Sequence, residues 1–287
     1  MRIPVLLGCA VAVCLSTALA FGAPDPADGP APSAHPLEIR LDPAAKWEAD
    51  QENIRKVLES SAGALWVYFP GRQLAPIIVE PKGGPITLFK RGKNGEFRVR
   101  LNTGDRYWAQ YAFQFAHEFC HILCNLVEED TSNKWFEESL CEMASLFALR
   151  RMAETWPADP PYPNWRSFAP ALKKYADERM AKAPLPAGQD LAAWYREHEA
   201  ALRRDPVQRE LNEVAAVALL PLFEKQPQHW AAVGSLNAAP VRTPRDFAAY
   251  LADWHGRAPA EHRPFIRQIA TQFGVTLADL PATTSAK

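Results

Sequence analysis

The residues best suited to chemistry are His117, Glu118 and His121, in the run Ala116-His117-Glu118-Phe119-Cys120-His121. On a helix, side chains four apart lie one turn from each other, so both imidazoles can reach a single metal ion. A catalytic zinc takes three protein ligands and keeps one position open. The third must come from elsewhere, and Lys134-Trp135-Phe136-Glu137-Glu138-Ser139-Leu140-Cys141-Glu142 follows closely, offering Glu138 or a close neighbour. Zinc held by neutral His117 and His121 would bring the pKa of a bound water toward neutrality. Glu118, beside His117, is placed to take that water's proton as general base and pass it to a leaving amine. A carboxylate at this position separates a hydrolase from a mere metal site. The competing reading is two unrelated core histidines that share this spacing, and it predicts no bound metal.

Two helices must carry these residues. The first is expected from about Tyr107 to Leu126, with Trp108, Tyr111, Ala112, Phe115, Phe119 and Ile122 as its apolar face. A second stripe, Gln110, Gln114, His117, His121 and Cys124, is mostly polar although the helix should be well buried. Buried polar groups are costly unless partnered, and a metal would partner both histidines. The second helix should begin near Asp130-Thr131-Ser132-Asn133, a run of N-cap residues, and reach about Ala153, with Glu138 and Glu142 on one face.

Upstream, a strand is expected at Leu37–Leu41 and a helix at 44–61. Short strands are expected at Leu65–Phe69 and Ile77–Val79. Ile86–Phe89 and Glu96–Leu101 read as a hairpin closed by a two-residue Asn94-Gly95 turn, with Phe97, Val99 and Leu101 on the dry face. Downstream, 157–170 holds five prolines in fourteen residues and marks the best internal boundary. The rest reads as helices near 169–182, 188–203, 206–225, 244–254 and 259–273, with Val214–Phe223 crossing the core of that half. The expected fold class is α+β. A half with a small mixed or antiparallel sheet and the motif helix occupies 37–156, followed by an all-helical half over 157–287.

The chain of 287 residues is 48% apolar, enough to bury a sizeable core. Its 32 basic and 33 acidic residues nearly cancel, so nothing points to nucleic acid or an anionic membrane as partner. Residues 1–20 read as a secretion signal: Arg2, an uncharged apolar run from Ile3 to Leu19, and a small-x-small site at Ala18-Leu19-Ala20. The rival reading is an uncleaved anchor. Residues 21–36 read as a Pro/Ala-rich linker, and no stable membrane insertion is expected after cleavage, so the protein should be exported to a periplasmic or extracellular space. The expected mature chain keeps Cys120, Cys124 and Cys141, all in or beside the motif helices. In an oxidising compartment Cys124 and Cys141 are the preferred disulfide pair; three small buried hydrophobes is the equal alternative.

With these residues in place, the pattern His117-Glu118-x-x-His121 followed by Trp135-Phe136-Glu137-Glu138-Ser139-Leu140-Cys141-Glu142 resembles the gluzincin metallopeptidases. The resemblance implies a zincin-like fold and a peptide or protein substrate. It also implies Zn2+ held by His117, His121 and Glu138, with Glu142 holding a ligating histidine from the second shell. It further implies that strand 96–101 is an edge strand pairing with extended substrate, and that a Tyr or His from the second lobe stabilises the oxyanion. Candidates for that role are Tyr162, Tyr175, Tyr195, Tyr250, His198, His229 and His255. The chain departs from the family pattern in a separation of sixteen residues between His121 and Glu138, in Ser139 at a common Gly, and in lacking a Gly-x-Met-Glu-Asn segment. A shifted register would make Glu142, or less readily Glu137, the ligand. The competing class is a non-catalytic zincin-like protein that binds or scaffolds.

Overall fold

A computed structural model describes residues 36–127, 131–239 and 243–278. The expected signal and all but the last residue of the linker lie outside the described residues, as does Asp130 of the expected cap. The chain is helix-rich with one small mixed sheet, an α+β arrangement. Among the described residues no helix is long and apolar enough to cross a membrane.

The strands are β1 (Ile39–Leu41), β2 (Ile77–Glu80), β3 (Ile86–Leu88) and β4 (Phe97–Arg100), in spatial order β1-β2-β4-β3. β1, β2 and β4 run parallel, and β3 pairs antiparallel with β4 in the register Thr87↔Val99. Alternation along β2 and β4 sends Ile77, Val79, Phe97 and Val99 into the core. On the wet face the Glu80 carboxylate bridges Arg98 and Arg100, which accounts for the charged half of the β4 pattern.

Four local expectations are corrected. Helix α1 runs from Gln51 to Trp66, starting later than expected because Asp50 accepts a hydrogen bond from Asn53 N and caps it there. Leu65–Phe69 is therefore not a strand: Val57, Leu58, Leu65 and Trp66 continue one helical face into the core, and tight turns finish the segment. The hairpin connection is longer than two residues, since β3 stops at Leu88 and the Asn94-Gly95 turn sits inside an 89–96 loop closed by Gly92 N to Glu96 O. Finally, β4 is an interior strand, and the edge that lies beside the motif helix is β3. Gly84 permits that placement, because a Cβ there would stand 2.1 Å from the Arg100 carbonyl oxygen.

Helix α2 (Trp108–Leu123) and helix α3 (Lys134–Thr155) pack side by side at the centre. α3 is buried on nearly every side, consistent with its lack of a clear polar stripe. Around it lie α1, α2, α4 (Ala169–Met180) and α6 (Arg209–Lys225), while α5 (Leu191–Arg204), α7 (Phe247–Arg257) and α8 (Arg263–Gln272) complete the helical half. Residues Val214–Phe223 lie on α6, whose packing on α3 carries the apolar core across the boundary at 157–170, so one hydrophobic core is shared by both segments.

Candidate metal centre

The end of α2 is built with care. Its last carbonyls lack intrahelical donors, and the Arg72 guanidinium supplies them, donating to Leu123 O at 2.8 Å and Ile122 O at 3.3 Å. Asn125 and Leu126 then take left-handed φ values of 78° and 45°, and Leu126 N returns to His121 O. The motif face of α2 looks along the first turns of α3.

Five residues singled out by their spacing, His117, Glu118, His121, Glu138 and Glu142, line one pocket. Glu138 Oε2 lies 3.3 Å from His117 Nε2 and 3.6 Å from His121 Nε2. The other ring nitrogens are also met by carboxylates: His121 Nδ1 is 2.6 Å from Glu137 Oε1, and His117 Nδ1 is 3.7 Å from Glu142 Oε1. Glu142 is in turn held by Arg209 Nε at 3.1 Å. Carboxylates behind histidines fix the tautomer and ring orientation of metal ligands. Glu118 is buried, and the Thr87 hydroxyl on β3 lies 2.9 Å from its Oε2 and 3.0 Å from its carbonyl oxygen.

Glu137, the least readily expected ligand, does not line the pocket and instead meets His121 at Nδ1. The side chains at 137 and 138 straddle the helix seam, so one carboxylate reaches His121 from behind and the other from the pocket side. Lys134 also escaped notice; its Nζ is 2.7 Å from Glu137 Oε1 and 3.9 Å from Glu138 Oε1. Its i, i+3 and i, i+4 spacing from the two glutamates was the available signal. Arg209 and Thr87 had none, being brought in by tertiary packing. None of the seven Tyr and His residues considered for the oxyanion lines the pocket.

The expected Cys124–Cys141 disulfide is absent; Cys120, Cys124 and Cys141 are free and buried. They fill the α2–α3 seam, where small side chains allow close helix approach. One nitrogen from each of His117 and His121 and the Cys141 sulfur lie within 4.8 Å of one another, so these three form a group able to hold a metal ion. Cys141 is fully buried and does not line the pocket, whereas Glu138 does. The centre therefore offers a third donor on each side of the histidine pair.

Charge explains the titration of the site. Three buried carboxylates, Glu118, Glu137 and Glu142, and the partly buried Glu138 face two cations, Lys134 and Arg209, which with neutral histidines leaves two negative charges. Buried net charge is expensive. Two protons or one divalent cation make up the difference. Without an ion, burial and Lys134 press on His121, but Glu138 and Glu137 outweigh them and its pKa rises to about 10. Burial likewise opposes His117, and Glu138, Glu142 and Glu118 raise it. Burial alone would push the Glu138 carboxyl up, yet the two histidines hold it well below the usual carboxylate range. The donor set, the carboxylates behind it and the deficit of two positive charges all fit a divalent metal.

No protein-family model, curated protein or solved structure matches the chain.

Proposed function

We propose that this protein is an exported zinc metallohydrolase of gluzincin type that cleaves peptide bonds. The observation that carries the reading is the convergence of His117 Nε2, His121 Nε2 and Glu138 Oε2 on the wall that also holds Glu118. In this reading His117, His121 and Glu138 hold the ion, Glu142 orients His117, and Cys141 stays an unused neighbour because an open coordination position must face the pocket. Bound there, zinc supplies Lewis acidity toward water and a substrate carbonyl.

The chain's own residues supply the rest. Glu118 takes the proton of the attacking water and returns it to the leaving amine. Thr87 steadies its carboxylate from β3. The open edge of β3 carries exposed Ile86 and, just beyond it, exposed Phe89, and both line the pocket opposite exposed Val207. An extended peptide can add to that edge as a further strand with apolar side chains on these residues. Arg209, half-exposed at the pocket and anchored by Glu142, offers cationic N–H donors to a substrate carbonyl.

The test is paired. Glu118→Gln should retain about one zinc per chain while hydrolysis of a peptide library falls by roughly 10²–10⁴-fold. Activity that survives the change would remove Glu118 from the mechanism. Zinc without hydrolysis in the parent protein would favour a non-catalytic zincin-like binding role.

A further inference from the structure

Glu137, which orients His121, is itself held from the far end of the chain. Its Oε1 meets His121 Nδ1 at 2.6 Å and Lys134 Nζ at 2.7 Å, and its Oε2 accepts from Asn237 Nδ2 at 2.7 Å. Asn237 Oδ1 accepts from the Tyr250 hydroxyl at 2.9 Å. Glu137, Asn237 and Tyr250 are all buried. Asn237 has a left-handed φ of 54°, which Asn tolerates better than most residues. Its segment is pinned to the end of α2 by Asn125 Nδ2, which donates to Gly234 O at 3.0 Å and Leu236 O at 2.7 Å.

The chemistry of these groups permits one direction of hydrogen bonding. An ionised carboxylate only accepts, so Asn237 must turn its NH2 toward Glu137. Its carbonyl oxygen is then left to accept, and Tyr250 donates to it. The same carboxylate selects the tautomer of His121 with the proton on Nδ1, which leaves the Nε2 lone pair directed at Glu138 and the pocket.

We infer that Asn237 and Tyr250 are positioning residues of the metal centre, through which the helical half sets the orientation and tautomer of His121. This rests on the metal reading above. Outer partners of metal-bound histidines typically contribute 10–100-fold in affinity. Asn237→Gly removes the amide while keeping the left-handed backbone unstrained, and it should weaken zinc binding by about 10–100-fold in competition with a chelator. Tyr250→Phe should weaken it by less than the ~10-fold of a direct outer partner, because only the orientation of the amide is lost. Asn237→Asp removes the donor to Glu137 at constant side-chain size and should weaken zinc binding at least as much as Asn237→Gly.

Trp254→Phe serves as the control. It removes a 2.8 Å hydrogen bond to Ala232 O one helical turn beyond Tyr250 and breaks no hydrogen bond of the relay. It should lower the melting temperature and leave zinc affinity unchanged. Unaltered affinity in Asn237→Gly or Asn237→Asp, or equal weakening in Trp254→Phe, would overturn the positioning role and leave the metal reading standing. A parent protein that binds no zinc would overturn both.

Discussion

The described residues include two facing histidine pairs of nearly the same ring geometry. His117 and His121 have ring centroids 5.0 Å apart at 70°, and His229 and His262 have centroids 5.2 Å apart at 83°. Their surroundings differ in kind. The first pair is ringed by Glu118, Glu137, Glu138 and Glu142, which raise both histidines despite their burial. The second pair shares a 2.9 Å Nδ1···Nδ1 contact, and His229 stacks on Phe265. Burial, and for His229 also the neighbouring His262, lowers that pair, and Glu261 is too weak to reverse it. Two imidazoles in reach of each other therefore do not make a metal centre. What separates the two pairs is carboxylate charge, which behind and beside the first favours whatever cation arrives, proton or metal.

The comparison breaks most sharply under direct ligand removal. His117→Ala should take bound zinc from about one per chain to none and abolish hydrolysis, whereas His229→Ala should leave the zinc count unchanged. Metal analysis of the two purified proteins decides it, and zinc lost from both would erase the distinction. Glu138→Ala should weaken zinc by more than the ~10–100-fold expected for an outer partner.

Titration separates the pairs with opposite signs. In zinc-stripped protein, His121 is raised from an ordinary 6.5 to about 10. Its stabilisation is thus fully present below 6.5 and is lost as pH climbs through that window. His229 and His262 are lowered, so they stabilise the fold above 6.5, and that contribution disappears as pH falls through their depressed values. The melting temperature of stripped protein should fall toward alkaline pH, and zinc should suppress that fall because the ion replaces the proton. Substituting His262 with Gln should flatten only the acid side. An alkaline limb that persists unchanged with zinc bound would contradict the charge accounting.

The smallest expected effect belongs to Cys141→Ser. With Glu138 as third ligand, this change should leave zinc stoichiometry unaltered and lower affinity by less than the ~10-fold of an outer partner. A thiolate-to-metal absorption band in the cobalt-loaded parent, lost on Cys141→Ser, would instead assign Cys141 as the ligand.

Much of the site was legible because it is local. His117, Glu118 and His121 share one helix, and Glu138 and Glu142 share the next, so helical periodicity alone placed each set on one face. The helices themselves were readable from apolar spacing and from the proline-rich break at 157–170. Leu65–Phe69 misled because a short apolar run carries no period of its own, and its continuity with the α1 face decided the matter. The strand that meets the site was misassigned for another reason: alternation shows which residues of β4 point inward, and nothing in it shows whether a strand is interior or edge.

Sequence by itself thus determined which donors exist and which of them ride together, since spacing along a helix is a property of the covalent chain. Only the tertiary structure decided how the charges of the centre are answered. Thr87 arrives from a sheet edge, Arg209 from α6 and Asn237 from a segment one hundred residues beyond Glu137. Such contacts follow from packing α2 and α3 into a shared core. No local period records them, because the groups that compensate a buried charge need only be near it in space.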